Sequence, residues 1–238
     1  AGTALTSGAS NTAVGYQALD ATDDGGYNTG IGDRALSANC GDDNVAVGTQ
    51  ALTAVIGSDN TAIGAVAGYQ AVEGSNNIFV GHDAGRTGSP GGPITSESNQ
   101  LCIGDENITH FYCAIDTIST SDERDKTDIN DLDLGLEFVN KLTPVTFKWD
   151  KRAKYIDKDD PSVDLNAVVP DGTHKDDWLN VGFLAQDVTE IEAEYGYSIA
   201  DKTNLTTDLT DDETQYGLKY NRFVPMLVNA IQELSAEI

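Results

Sequence analysis

The sequence predicts a mainly β first half, a parallel β-roll or solenoid in a trimer, followed by an α+β domain that ends in a coiled-coil-like helix. Three observations carry this. A nine-residue pattern returns at a nearly fixed interval through the first half. Of the 14 Lys and Arg, only Arg34 and Arg86 precede Ser121, so the grammar of the chain changes part-way. The C-terminal stretch from Val224 to Ile238 spaces its apolar residues as a heptad seam does.

The repeats come first. Asn11-Thr-Ala-Val-Gly-Tyr-Gln-Ala-Leu19 returns from Asn28 to Leu36, from Asn44 to Leu52, from Asn60 to Gly68 and from Asn77 to Gly85. Successive starts are 17, 16, 16 and 17 residues apart, and a weaker sixth copy, Gln100-Leu-Cys-Ile-Gly104, follows after 23. A fixed short period is the signature of a solenoid, because one repeat cannot bury its own apolar face and must stack on the next. Val14, Ile31, Val47, Ile63, Val80 and Ile103 share one β-branched position, expected to be the buried residue of a short strand. Glycine follows each of them, as a tight bend or a close backbone approach requires. Ala18, Ala35, Ala51, Ala67 and Ala84 form a second small apolar column. At about 4.8 Å per stacked strand, six coils make a segment of roughly 30 Å. The run Gly88-Ser-Pro-Gly-Gly-Pro93 is a loop by composition. Ala4-Leu5 match the end of an earlier copy, so the sequence reads as opening in mid-repeat.

The second grammar starts near Asp105, which sets the expected divisions at residues 1–104, a connector over 105–120, and a domain over 121–238. Leu134, Phe138 and Leu142 space a short helix over 134–142, stopped by Thr143-Pro144. Val145–Trp149 alternates as a strand, and Val181–Val188 reads as a strand running into a helix. Between Trp149 and Trp178 lies an acidic, Pro- and Gly-punctuated insertion, and Asn204–Glu213 reads as an acidic turn region. Val224, Leu227, Ile231, Leu234 and Ile238 then step by 3, 4, 3 and 4, with Pro225 where a helix start tolerates it. An amphipathic helix packed in its own core would show the same short pattern.

Composition narrows the function. The chain has 238 residues and a formal net charge of −25, which argues against nucleic acid and anionic membranes as partners. Its apolar runs fall far short of the ~20 residues of a membrane span. Cys40, Cys102 and Cys113 are odd in number and lack a CxxC, so they read as small buried or half-buried thiols. His82, His110 and His174 are scattered, and no metal or other cofactor is expected. Asp157-Lys-Asp159-Asp-Pro161 begins like a calcium loop but lacks its glycine and distal glutamate. Asn107-Ile-Thr109 and Asn204-Leu-Thr206 match the glycosylation rule and nothing more.

The repeat core Asn-x-Ala-Ile/Val-Gly resembles the head repeat of trimeric autotransporter adhesins over about residues 1–104. That resemblance implies a left-handed parallel β-roll from each of three chains. Three further motifs, Ser121-Asp-x-Arg-x-Lys126, Val181-Gly-Phe-Leu-Ala-Gln-Asp-Val188 and Tyr220–Leu234, together resemble the intramolecular chaperone domain at the C-termini of phage tail fibres, tailspikes and endosialidases, the S74 peptidases. The resemblance implies a serine–lysine dyad at Ser121 and Lys126 that cuts the chain between Thr120 and Ser121. The chemistry is coherent: a serine hydroxyl needs a base, and lysine is one only when neutral. Asp125 and Asp128 flank Lys126 and oppose that, so folding has to desolvate the amine and turn them away. Serine can attack the carbonyl before it through a five-membered ring, so no separate substrate pocket is needed.

The expected function is therefore the C-terminal part of a homotrimeric phage fibre or spike, located in the virion and assembled in the bacterial cytoplasm. Its chaperone domain would register three chains and then cut itself, with no turnover of an outside substrate. The fibre would meet a host cell-surface glycan or protein receptor. Two alternatives stay open. A bacterial trimeric surface adhesin would use the same repeats. A host-glycan depolymerase would need paired carboxylates in a groove, and residues 1–120 single out no such pair.

Overall fold

Six three-residue strands stack in parallel and in chain order among the described residues: β1 (Thr12–Val14), β2 (Thr29–Ile31), β3 (Val45–Val47), β4 (Thr61–Ile63), β5 (Ile78–Val80) and β6 (Leu101–Ile103). Register follows the repeat: Ala13 pairs with Gly30, Gly30 with Ala46, Ala46 with Ala62, Ala62 with Phe79, and Phe79 with Cys102. The first half is thus a parallel β-solenoid. This computed structural model describes residues 1–3, 5–114, 118–160 and 162–238. Ala4 of the Ala4-Leu5 pair, residues 115–117 of the connector and Pro161 of the calcium-like stretch lie outside the described residues.

The inward face differs from the one expected. In a three-residue strand the middle side chain points one way and its neighbours the other. Here the middle residue faces in: Ala46, Ala62 and Phe79 are fully buried. The β-branched column Val14, Ile31, Val47, Ile63, Val80 and Ile103 faces out, 36% to 56% exposed. The interior is too narrow for both, because Leu19, Leu36 and Leu52 already fill it from the opposite wall. Those leucines adopt left-handed backbone, with φ of 51°, 52° and 49°. That conformation costs roughly 1–2 kcal/mol, and full burial of a leucine offsets it with about 1.5–3 kcal/mol. Further along, Gly68 and Gly85 take the leucine position, and Phe79 moves into the vacated space. A Cβ on Gly85 would lie 2.4 Å from the Phe79 ring, and one on Gly68 would lie 2.8 Å from it.

Two columns fix the coil. Gly15, Gly32, Gly48 and Gly64 have φ between 127° and 141°, and a Cβ on any of them would lie 2.3 to 2.5 Å from the carbonyl oxygen of the next. The asparagines form a buried ladder. Asn28 Oδ1 accepts from Asn44 N at 2.8 Å, Asn44 Oδ1 from Asn60 N at 3.0 Å, and Asn60 Oδ1 from Asn77 N at 3.0 Å. Each Nδ2 donates to a turn carbonyl, as Asn44 does to Gly57 O at 2.9 Å. No amide of the ladder is wasted, as buried polar groups require. Cys40 and Cys102 are buried, and burial pushes both thiols up. Cys113 is exposed, contrary to expectation: it follows the last coil, where there is no core to enter.

Compact units are drawn differently from the divisions of grammar. One unit holds Ala1–Thr109 together with Asp150–Lys175. The acidic insertion thus packs with the solenoid, through short 3-10 turns at Arg152–Tyr155 and Leu165–Ala167 that bury Ala153 and Leu165.

The other unit holds His110–Trp149 and Asp176–Ile238, a mixed α+β fold. Its elements are α1 (Leu136–Lys141), β7 (Val145–Phe147), β8 (Asn180–Gly182), α2 (Ala185–Glu194), β9 (Thr207–Leu209), β10 (Tyr216–Leu218) and α3 (Phe223–Ala236). β7 pairs antiparallel with β8, and β9 with β10. Leu134, Phe138, Val188, Phe223 and Met226 form the core. The strand β9 lies where an acidic turn was expected. Its start is held from a distance: the buried Glu192 carboxylate accepts from Thr206 N at 2.6 Å, Thr206 Oγ1 at 2.6 Å and Thr207 Oγ1 at 2.7 Å.

Candidate functional site

Ser121 and Lys126 meet. Asp122 caps a single 3-10 turn, Glu123–Asp125, by accepting from Arg124 N at 2.9 Å. The Arg124 guanidinium returns to the same carboxylate at 3.0 and 2.6 Å. This turn brings Lys126 back over Ser121, where its Nζ donates to Ser121 Oγ at 2.7 Å and to Ser121 O at 3.3 Å. Among the described residues Lys126 bonds to Ser121 alone and is in no ion pair with Asp125 or Asp128. Desolvation is a different matter, because residues 118 to 130 are all exposed. Within one chain, burial of the amine is therefore missing.

The other two motifs build the frame of the same unit. Tyr220 Oη accepts from Phe183 N at 3.2 Å, and the Phe183 ring stacks on Tyr220 and Phe223 at centroid distances of 6.3 and 5.3 Å. A Cβ on Gly182 would lie 2.3 Å from Tyr220 Oη, so a side chain there would displace the tyrosine hydroxyl. Helix α3 buries Phe223, Met226 and Ala230. Its Glu233 reaches the start of α1, accepting from Leu136 N at 2.6 Å. The seam residues Val224, Leu227, Ile231 and Leu234 lie on its other side, each at least 45% exposed, while the helix ends at Ala236 and leaves the expected last seam residue, Ile238, beyond it. The helix thus has two apolar faces, of which its own unit covers one.

In these places the match to known families can be read. Residues 121–197 match the family model described as Peptidase S74, chaperone of endosialidase. The match begins on Ser121, the acceptor of the 2.7 Å contact. It includes the Val181–Val188 motif and the insertion, and stops short of α3. No curated protein and no solved structure matches the chain. Among the described residues no helix is long and apolar enough to cross a membrane.

A second site escaped sequence reasoning. In the solenoid unit a cleft of about 1200 Å³ is lined by Tyr69, His82, Asp83, Arg86, Glu106 and Lys158 among others. Arg86 Nη1 donates to Asp83 Oδ1 at 2.8 Å, and Nη2 donates to Asp159 Oδ1 at 2.7 Å and to Lys158 O at 3.1 Å. Its guanidinium lies over the Tyr69 ring, 5.1 Å from the centroid. Lys158 Nζ bridges Asp83 Oδ2 at 3.2 Å and Glu106 Oε2 at 2.5 Å. Burial would raise the Asp83 carboxyl, but the hydrogen bonds and charge of Arg86 and Lys158 outweigh it and hold the group below the usual carboxylate range. His82 Nδ1 lies 3.5 Å from Asp83 and 3.7 Å from Asp105, so these three side chains could share a cation. Arg86 and Lys158 are the cationic side chains that reach Asp83 here. The calcium-like stretch at Asp157 serves this arrangement: Asp157 Oδ1 accepts from Asp159 N at 3.0 Å in a turn that carries Lys158 between them.

Proposed function

We propose that this chain is the C-terminal part of a homotrimeric phage-type fibre or spike whose S74 segment registers three chains and then cuts between Thr120 and Ser121. The observation that carries the reading is the 2.7 Å contact between Lys126 Nζ and Ser121 Oγ at the first residue of the family match. Once the amine is neutral, the same contact runs in reverse: the hydroxyl gives its proton to Nζ as Oγ bonds to the Thr120 carbonyl carbon. The Thr120–Ser121 C–N bond then breaks, the serine nitrogen takes a proton, and water hydrolyses the resulting ester.

Assembly supplies what one chain lacks. Two exposed apolar features support a trimer: the column from Val14 to Ile103 and the seam on α3. Each would be buried against two further copies of the chain, and burial around 118–130 would strip the proton from Lys126 only in the assembled state. Cutting is thereby tied to completed registration, which is useful because non-local parallel pairing folds slowly. The fibre would present its solenoid to a host-surface glycan or protein. Intact mass of the purified chain under denaturing conditions tests the reading. Two fragments meeting at Thr120–Ser121 in the parent, and one species in Ser121→Ala, are expected. A fragment starting near residue 121 in Ser121→Ala would assign the cut to an outside protease.

A further inference from the structure

The insertion Asp150–Lys175 lies inside the S74 match, on the chaperone side of Thr120–Ser121, yet it belongs to the compact unit of the solenoid. Its attachment is built from buried charge. On the solenoid side Asp83, Arg86 and Glu106 are each less than a tenth exposed. Arg86 is one of two basic residues before Ser121, and both arms of its guanidinium are engaged, one by Asp83 of the solenoid and one by Asp159 of the insertion. In the opposite sense, Lys158 of the insertion neutralises Asp83 and Glu106 of the acidic solenoid. Lys151 adds a bond to Glu106 O at 2.6 Å. The fit is close as well as charged: a Cβ on Gly88 would lie 2.3 Å from the Ala153 Cβ.

From this we infer that Asp150–Lys175 is a latch which keeps the fragment beginning at Ser121 bound to the solenoid after the chain is cut. The inference rests on the proposed cut. A break at 120–121 removes one covalent link and leaves every contact of the insertion in place, since those contacts join residues on either side of the break. The partner surface is the mixed-charge patch of Asp83, Arg86 and Glu106. Release of the chaperone fragment is then a second event, separate from peptide cleavage and governed chiefly by Lys158, which is buried against Asp83 and Glu106, whereas Asp159 reaches Arg86 from solvent. Breaking one partner of a buried, hydrogen-bonded charge pair acts mainly on dissociation.

The test makes the cut independently of the dyad. The full chain carries Ser121→Ala, an N-terminal affinity tag, and a recognition site for an added protease placed between residues 110 and 120. After complete cutting, the tagged solenoid is immobilised at neutral pH and low salt, and the fragment left on the resin is followed over time. Retention in the parent is expected, with release about a hundredfold faster in Lys158→Ala/Asp159→Ala. Immediate loss is expected when residues 151–174 are replaced by a short Gly-Ser linker. Loss of the fragment from the parent overturns the latch. So does retention by the linker variant, which would place the attachment elsewhere. Whether the chain cuts itself is read separately in the Ser121 parent, so failure of the dyad and failure of the latch give different results.

Discussion

The ammonium of Lys126 donates to the hydroxyl of Ser121 at 2.7 Å across a single 3-10 turn, with both side chains in solvent. Five residues of separation thus suffice to bring the hydroxyl and the amine together, the pair proposed above as nucleophile and base. Lys126→Ala and Lys126→Arg are expected to slow cleavage by about 10²- to 10⁴-fold, because alanine removes the base and guanidinium stays protonated. Ser121→Ala is expected to abolish the proposed cleavage and leave assembly intact. Intact mass after timed refolding, with a chain held in denaturant as control, measures all three. Cleavage in denaturant would separate the chemistry from folding.

Ala46 and Val47 are adjacent and face opposite ways. Ala46→Asp buries an unpaired carboxylate in the coil and is expected to destabilise the solenoid by several kcal/mol, on the order of 3 or more. Val47→Asp changes an outward column and is expected to leave the fold of one chain nearly unchanged while weakening the proposed trimer. Thermal melting separates the first effect, and sedimentation velocity over a range of concentration the second. Equal melting losses in both variants would contradict the assigned faces.

Phe79 and the glycines at 68 and 85 are a matched set. Phe79→Ala alone should cost about 3–5 kcal/mol, the usual range for emptying an aromatic site. Gly68→Leu alone should also destabilise, by collision with Phe79. The combination of Phe79→Ala with Gly68→Leu and Gly85→Leu restores the packing of the earlier coils and should recover most of the loss. Chemical denaturation of the single and triple variants decides this through the coupling between sites.

Acid should weaken the solenoid unit through Asp83 and Asp105. Burial raises both carboxyls, but Arg86 and Lys158 at Asp83, and Asn107, Lys158 and His82 at Asp105, hold them below the ordinary value. A depressed folded value means that the stabilisation is present above the unfolded value, about pH 4, and is lost as pH falls through the folded one. Melting temperature should therefore be steady between about pH 5 and 8 and drop below about pH 4. In Asp83→Asn that acid-side drop should be smaller, and an unchanged drop would remove Asp83 from the account.

The repeat, its glycine column and the C-terminal helix were legible because each rests on spacing along the chain, whereas Ser121 and Lys126 were singled out by the family resemblance and not by their spacing. The inward face was not. Val14 and its equivalents are the most apolar residues of each strand, and only the cross-section of the coil shows that leucines from the opposite wall occupy the interior. The strand at Thr207–Leu209 was missed because its anchor, Glu192, lies 14 and 15 residues upstream of the threonines it binds. The latch was missed for the same reason on a longer scale. Arg86 and Asp159 are 73 residues apart, and Asp83 and Lys158 are 75 apart. Nothing local marks any of the four.

The asparagine ladder sets a unit of length. Each Oδ1 serves the backbone of the following copy, and the last rung, Asn77 Oδ1 to Gln100 N at 2.9 Å, ends on a glutamine whose own amide turns back to Ser98 O at 3.2 Å. A whole copy removed, such as residues 28–43, leaves Asn11 facing Asn44 with every column still aligned. Coils of 16, 17 and 23 residues all keep the register, so extra residues are taken up in the turns between strands. The solenoid is thus a ruler graduated in steps of about 4.8 Å, lengthened or shortened by complete copies, with the slack of each step held in its turns.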